Sequence, residues 1–509
     1  MSESSGPVRY GSWSPDRRGR IAGLTLTAWA VLLAGSLPVL GAVSTARYGL
    51  AAAWLPVWAV LAVLVAVPVH GRPAARWLGD ALLHTIGVAT GWSPWQSLAV
   101  TGTATDLGRV DLPGVLSGLR TFDGPPYGPA GDRPVLIVDN RERTWAVVAR
   151  ITHGGIGLAD PDARARMGAA LSGLLEQAAT GGLVRTLALQ VRTTPDNGAR
   201  RARWQAEHRR GDATSLALTV ADQLDRVMSA AAVRHEAFLT VVVPQARIAR
   251  AARQAGGGVD GHGRVLHPVM AEVAAALLGG VGASAVCWLD AGGLAEAIRT
   301  GYAPGDAAAL TAAALTAVDN PAAAAVLPLA AAGPTVAPAP AGRSYTHDGW
   351  RSASSAILLP DKGAVMGALA PVLAPATTGE RRALTVFFEP IDAHRADRMV
   401  GGEQFSTELT TQLRARAGFR IRAAQRRDAA RILGQDDRLA EGNALLRVAA
   451  VAAVTVDAEA SISDAARRLD SAITGAGFTP LRLDLAQDSG FAAACIPLGI
   501  GLPRRRTGR

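Results

Sequence analysis

Phosphate chemistry, if this chain performed it, would centre on Lys362, the one lysine among 509 residues. It stands in PDKGAVMG. A phosphate-cradling loop needs glycines that free backbone N–H groups, a lysine for the terminal phosphates, and a Ser or Thr hydroxyl for magnesium. Lys362 has neither the glycine spacing before it nor the hydroxyl after it. The glycine-rich AGGGVDGHG (255–263) lacks a lysine and a strand-to-helix fingerprint, and reads as a flexible loop. His262 and His267 have no cysteine partners, and neither C-x-x-C nor H-E-x-x-H occurs, so no metal site is expected. His235 and Glu236 read as a surface pair between a helix and a strand. Asp436 and Asp437 read as a turn, and no Ser/His/Asp set stands out. Arg414, Arg416, Arg420, Arg422, Arg426, Arg427 and Arg431 are interspersed with Asp and Ala and have few aromatic neighbours. They read as a solvated helical face or partner surface rather than a nucleic-acid contact. The expectation is therefore no catalytic residue, no cofactor and no metal.

The elements around these residues point elsewhere. Hydrophobic residues make up 49% of the chain beside a net charge of +10, and much of the apolar excess is near the N-terminus. Ile21–Val43 and Leu50–Val69 are uncharged runs, each long enough as a helix to cross roughly 30 Å of hydrocarbon. Pro38 and Pro56 are tolerable there if neighbouring groups satisfy the freed carbonyls. Trp29, Trp54 and Trp58 suit apolar contacts or the interface. A cleaved signal peptide is the weaker reading, because the first run is longer than its usual apolar region and a second span follows at once. Arg9, Arg17, Arg18 and Arg20 precede the first span, Arg72 and Arg76 follow the second, and the connecting loop carries only Arg47. By the positive-inside rule both ends face the cytoplasm, in contact with membrane lipid. Cys287 and Cys495 lie in apolar surroundings and are expected to be buried free thiols.

The rest divides by composition and periodicity. Residues 1–20 form a cytoplasmic N-terminus, 21–69 the hairpin and 70–132 a Gly/Pro-rich linker. PVLIVD and TWAVVARI flank the turn NRER as a hairpin. A helix capped by Asp160, the strand VRTLALQVRT, a helix over 216–234 and the strand FLTVVVP follow, giving a first α+β domain over 133–318. An Ala/Pro-rich connection spans 319–342. A second α+β domain over 343–500 repeats the pattern, with a charge-laced helical pair inserted at 392–442 and a capped helix at 461–477. A basic tail, 501–509, closes the sequence. The expected fold class is α+β: a transmembrane helical hairpin followed by α+β sandwich domains.

One resemblance adds to this reading. VFFEPI (386–391), the helical region 392–442, LLRVAAVAAVTV, ARRLDSAITGAGF and IPLG (496–499) resemble the end of the N-terminal, non-motor domain of conjugative type IV secretion ATPases. In that family the motor domain starts soon after P-L-G. The YGSW start (10–13), two spans and a large cytoplasmic part are similar to a family of actinobacterial integral membrane proteins and to the EccE component of type VII secretion. The resemblance implies a non-enzymatic membrane component whose ATPase is a separate chain. It makes Pro497, Leu498 and Gly499, with Arg504, Arg505 and Arg506, a partner-docking joint, and it is compatible with a homo-oligomer. The alternative functions are an EccE-like type VII secretion component and a membrane-anchored enzyme acting on a nucleotide-sugar or lipid precursor.

Overall fold

The computed structural model describes residues 9–10, 20–21, 24–69, 72–91, 94–157, 159–195, 198–208, 210, 212–231, 233–320, 326–360, 363–377, 379–391 and 444–501. The helical pair expected at 392–442, Lys362 and the Asp436–Asp437 pair lie outside these residues. The chain divides into two units, one holding 12–93 and the other holding 94–395 and 443–509.

The first unit holds three helices, α1 (Leu26–Ser44), α2 (Tyr48–Ala66) and α3 (Ala74–Ala89). The first helix starts later than the apolar run does, because Ile21 sits in a short pairing with Leu24. The second ends before Val69, because Val67 precedes Pro68 and is driven to an extended conformation (φ −80°, ψ 121°). Residues 70–132 were expected as a linker. They include α3, and further on they place Val110, Leu112, Leu116 and Leu119 in the second unit's core.

The second unit is built on one antiparallel sheet of 11 strands. They are β1 (Leu119–Asp123), β2 (Val135–Asp139), β3 (Thr144–His153), β4 (Thr186–Pro195), β5 (Val233–Pro244), β6 (Ala283–Trp288), β7 (Tyr345–His347), β8 (Trp350–Leu358), β9 (Arg381–Pro390), β10 (Leu446–Asp457) and β11 (Thr479–Arg482). The order is β7-β8-β10-β9-β4-β5-β3-β2-β1, with β6 also on β3 and β11 also on β8. The helices are α4 (Pro161–Thr180), α5 (Ala199–His208), α6 (Ser215–Ala231), α7 (Gln245–Gln254), α8 (Gly258–Ala276), α9 (Ala291–Tyr302), α10 (Ala307–Asp319), α11 (Ile462–Gly475) and α12 (Gln487–Cys495).

The strand order contains a repeat. In the first half β3, β4, β5 and β6 are arranged β6-β3-β5-β4. In the second half β8, β9, β10 and β11 are arranged β11-β8-β10-β9. Each is a split β-α-β arrangement, and each is entered through a hairpin, β2–β3 or β7–β8. The halves meet through β4 and β9, paired antiparallel from Leu187↔Phe388 to Arg192↔Ala383. The two α+β domains read from the sequence therefore share one sheet. The 319–342 connection contributes Leu329, Ala332 and Ala337 to the same core.

Side-chain alternation fixes what covers each face. Leu239, Val241 and Val243 of β5 face a cluster with Leu174 and Leu175 of α4, Ile248 of α7 and Leu266 and Met270 of α8. In the second half, Ala450, Ala452 and Val454 of β10 face Leu469 and Ile473 of α11. The opposite face carries Phe238, Val242, Phe387, Val451 and Ala453 against Leu294 and Ile298 of α9 and Phe491, Ala493 and Ala494 of α12. The expected caps form, with Asp160 accepting from Ala163 N and Ser461 from Asp464 N. The AGGGVDGHG stretch is not a loop throughout, since α8 starts at Gly258.

Candidate functional site: an apolar hairpin and a buried polar seam

By length and composition α2 could cross a membrane, and so could α8 with its continuation, Gly258–Val281. Packing separates them. Leu266, Met270 and Val273 of α8 are buried against the sheet, which makes it a core helix. In α2, Leu50, Trp54, Leu55, Val57, Val60 and Val63 are all exposed. In water this would be an aggregation surface, whereas in lipid it is the expected exterior. α1 is equally apolar outside, with Leu33, Leu37 and Leu40 exposed. The two helices form a hairpin. Trp58 Nε1 donates to Leu32 O at 3.2 Å. A Cβ on Gly35 would come within 2.7 Å of Leu61 Cδ2, so the missing side chain sets the closeness of approach. The hydroxyls of Ser44 and Thr45 bond back to Gly41 O, which closes the end of α1.

Val43 and Leu50 lie in the hairpin helices. Ile21, Arg20, Val69 and Arg72 are in the short strands beside them, and Arg76 is in the first turn of α3. Arg17, Arg18, Arg504, Arg505 and Arg506 lie outside the described residues, as do Arg414 to Arg431.

Pro497, Leu498 and Gly499 run across the centre of the sheet. Leu498 is buried, and Thr240 Oγ1 of β5 donates to Pro497 O at 3.1 Å. Gly499 has φ +68°, and a Cβ there would meet Val242 Cγ2 at 2.7 Å. Only glycine serves at such a position. The segment thus closes the core that α12 begins.

Polar groups of the central strands receive the end of α12. The last carbonyls of a helix have no intrahelical donor. Gln190 Nε2 of β4 and Thr385 Oγ1 of β9 both donate to Ala494 O, at 2.7 and 3.0 Å. Arg192 Nη1 donates to Cys495 O at 3.1 Å and to Ala297 O of α9 at 2.7 Å, and Nη2 donates to Thr300 Oγ1. Its Nε meets Glu236 Oε2 at 3.0 Å, and the guanidinium lies 5.0 Å from the centre of the Phe238 ring. Burial alone would raise the Glu236 pKa. Arg192, then Arg150 and Arg234, outweigh it and hold the carboxyl below its ordinary range. Glu236 is therefore a buried structural anion, not the surface residue expected from its place between helix and strand. A sequence signal was present: Gln190 and Arg192 are two apart in an otherwise apolar strand, so both point to one face.

Beside this seam lies a hydrogen-bonded relay. His347 Nδ1 donates to Tyr302 O at 2.6 Å, which leaves Nε2 to accept from Ser352 Oγ at 2.8 Å, and Ser352 Oγ lies 2.7 Å from Thr455 Oγ1. A serine hydroxyl on an imidazole is the core of a nucleophile-base pair. Here both side chains are 0% exposed and enclosed by Tyr302, Tyr345 and Phe491, so the relay ties the core together. Burial pushes His347 down to about 3, which keeps it neutral.

The remaining candidates are structural too. His262 stacks on Trp145 with ring centres 4.1 Å apart, and His267 packs on Tyr127. Among the described residues no group of three potential ligands could hold a metal ion. Cys495 is buried as expected. Cys287 is exposed, because it sits on β6, whose outward alternation reaches solvent at that position. Compared with known proteins, the chain matches no family model and no curated protein.

Proposed function

We propose that this chain is a two-pass membrane component of a secretion or conjugative transfer apparatus. It anchors a cytoplasmic platform and docks a separate ATPase, without catalysis of its own. The observation that carries the membrane part is the α1–α2 hairpin, whose outward side chains are apolar along both helices. The arginines flanking the spans support an orientation with both ends in the cytoplasm. The docking part rests on the resemblance carried by VFFEPI, the 392–442 insertion and IPLG. The sheet supports it as a rigid base, since its buried polar groups are engaged in holding α9 and α12.

The sheet also sets how docking is tested. Removing everything from Arg382 onward would take β9, β10 and β11 out of the sheet and so tests folding. The 392–442 insertion is separable, because Ile391 N donates to Leu445 O at 2.9 Å and a short turn can join them. The experiment is a mild-detergent pull-down of the tagged full-length chain and of the insertion-deleted chain, with mass spectrometry of what is captured. Copurification of a P-loop ATPase with the first and its loss with the second is the expected result. Capture of type VII pore subunits would reassign the chain as EccE-like. ATP hydrolysis by the purified chain, or ligand-dependent stabilisation by nucleotide-sugars, would overturn the non-enzymatic reading.

A further inference from the structure

We infer that α3 is a third membrane element, a helix lying in the lipid interface where α2 emerges. The inference starts from an inside-out pattern. In a soluble protein the apolar side of a surface helix is turned inward and the polar side outward. In α3, Leu78, Leu82, Leu83, Ile86 and Val88 are exposed, by 54%, 60%, 59%, 42% and 48%. Asp80 and His84 are on the more sheltered side, with Trp77 and Ala81. Thr85 falls among the exposed residues, but its hydroxyl is turned back onto Ala81 O at 2.8 Å. At 100° per residue, Leu78, Leu82, Leu83 and Ile86 fall on one broad arc. Nothing in this pattern suits water.

Continuity with α2 names the occupant. α2 ends at Ala66, and α3 starts at Ala74. Between them, Pro68 pairs antiparallel with Pro73 and Val69 with Arg72. Ala74 N donates to Val67 O at 3.0 Å. The first turn of α3 is therefore hydrogen-bonded to the end of α2, and a bilayer that holds α2 meets α3 at its surface. With 16 residues, α3 is about 24 Å long, short of the roughly 30 Å core, so it lies in the boundary and does not form a third span. Its partner is the boundary between headgroups and acyl chains, entered by the leucine-rich face. The inference rests on α2 being embedded, and the test separates the two.

The test uses the full chain in lipid nanodiscs, with exposed Cys287 replaced by serine. An environment-sensitive fluorophore is placed on Leu82→Cys, and in separate samples on Val57→Cys of α2 and on Leu78→Cys, the last serving if the Leu82 variant does not fold. Quenching by lipids carrying a nitroxide at shallow or deep acyl positions is then read. The expected result is strong quenching of Val57 by the deep probe and of Leu82 and Leu78 by the shallow one, with at least a twofold loss of emission. Quenching at Val57 with none at Leu82 or Leu78 would overturn the inference and leave the anchor standing. Quenching at Leu82 with none at Val57 would support α3 on the surface and overturn the spanning hairpin. No quenching at any position overturns both. Emission from Leu82 that responds to a second labelled copy and not to lipid would overturn the inference in favour of a protein interface.

Discussion

Replacing Arg192 with methionine tests whether the polar seam, and not only the apolar core, holds α9 and α12 on the sheet. Methionine keeps most of the side-chain length but removes every donor. Four acceptors lose their partner: Glu236 Oε2, Ala297 O, Cys495 O and Thr300 Oγ1. Glu236 is 8% exposed and is left beside Arg234, 3.6 Å away at the surface. Breaking one side of a buried pair costs about 3–5 kcal/mol, because the remaining charge stays desolvated. For a unit this large about 2 °C of Tm follows each kcal/mol, so the melting point should fall by about 6–10 °C. The assay is thermal unfolding of the detergent-solubilised chain by tryptophan fluorescence. Glu236→Gln, which keeps an acceptor for Arg192, should cost about 1–2 kcal/mol. The double variant Arg192→Met with Glu236→Leu should be more stable than Arg192→Met alone, since the orphaned charge is gone. A fall under 2 °C for Arg192→Met, or a double variant less stable than Arg192→Met alone, would refute the reasoning.

Acid should destabilise this chain through His347. Its pKa is about 3 in the fold and about 6.5 when unfolded, so the unfolded state binds the proton first and stability falls as pH drops below about 6.5. The slope approaches 1.4 kcal/mol per pH unit between pH 6 and 4, and a His347→Gln variant should show a flatter dependence of Tm on pH. A maleimide should label one thiol in the native protein, Cys287, and two in denaturant. Burial pushes the Cys495 thiol up to about 12, against smaller downward effects of Arg192 and Thr455, and labelling of Cys495 in the native state would contradict its place in the core. Gly499→Ala should cost about 2–4 kcal/mol from a strained positive φ and contacts under 3 Å, whereas Gly501→Ala, with its nearest neighbour 3.9 Å away, should leave Tm unchanged.

Much of the architecture was legible because it rests on local signals. The α1–α2 hairpin is written in two uncharged runs, the β2–β3 hairpin in NRER, and α4 and α11 in their capping residues. The shared sheet was not legible. Pairing of β4 with β9 joins residues about 190–200 positions apart, and an apolar strand does not state which edge it will meet. Glu236 was misread for the same reason: its partner Arg192 is 44 residues away, and local context showed only a strand end. The glycines of 255–263 read as a loop because glycine is a poor helix former. Tertiary contact overrides that preference here, since a Cβ on Gly261 would strike Ala252 O at 2.3 Å and one on Gly263 would strike Pro125 at 2.2 Å. α3 escaped notice as a membrane element because it is too short for a spanning criterion, and its inverted pattern shows only in exposure.

The seam between β4 and β9 also bears on any attempt to express this protein in pieces. A fragment that stops before β7 keeps a complete split β-α-β half but bares the β4 edge, which in the intact chain is satisfied by six residue pairs. An open edge of that length recruits another strand. The intact seam already sets β4 against its counterpart in the other half, antiparallel and across an approximate twofold. Two copies of the fragment can therefore satisfy each other by pairing β4 with β4 in the same sense. Such a truncation should yield a closed homodimer rather than a monomer, so the oligomeric state of a fragment would report on the cut and not on the native assembly.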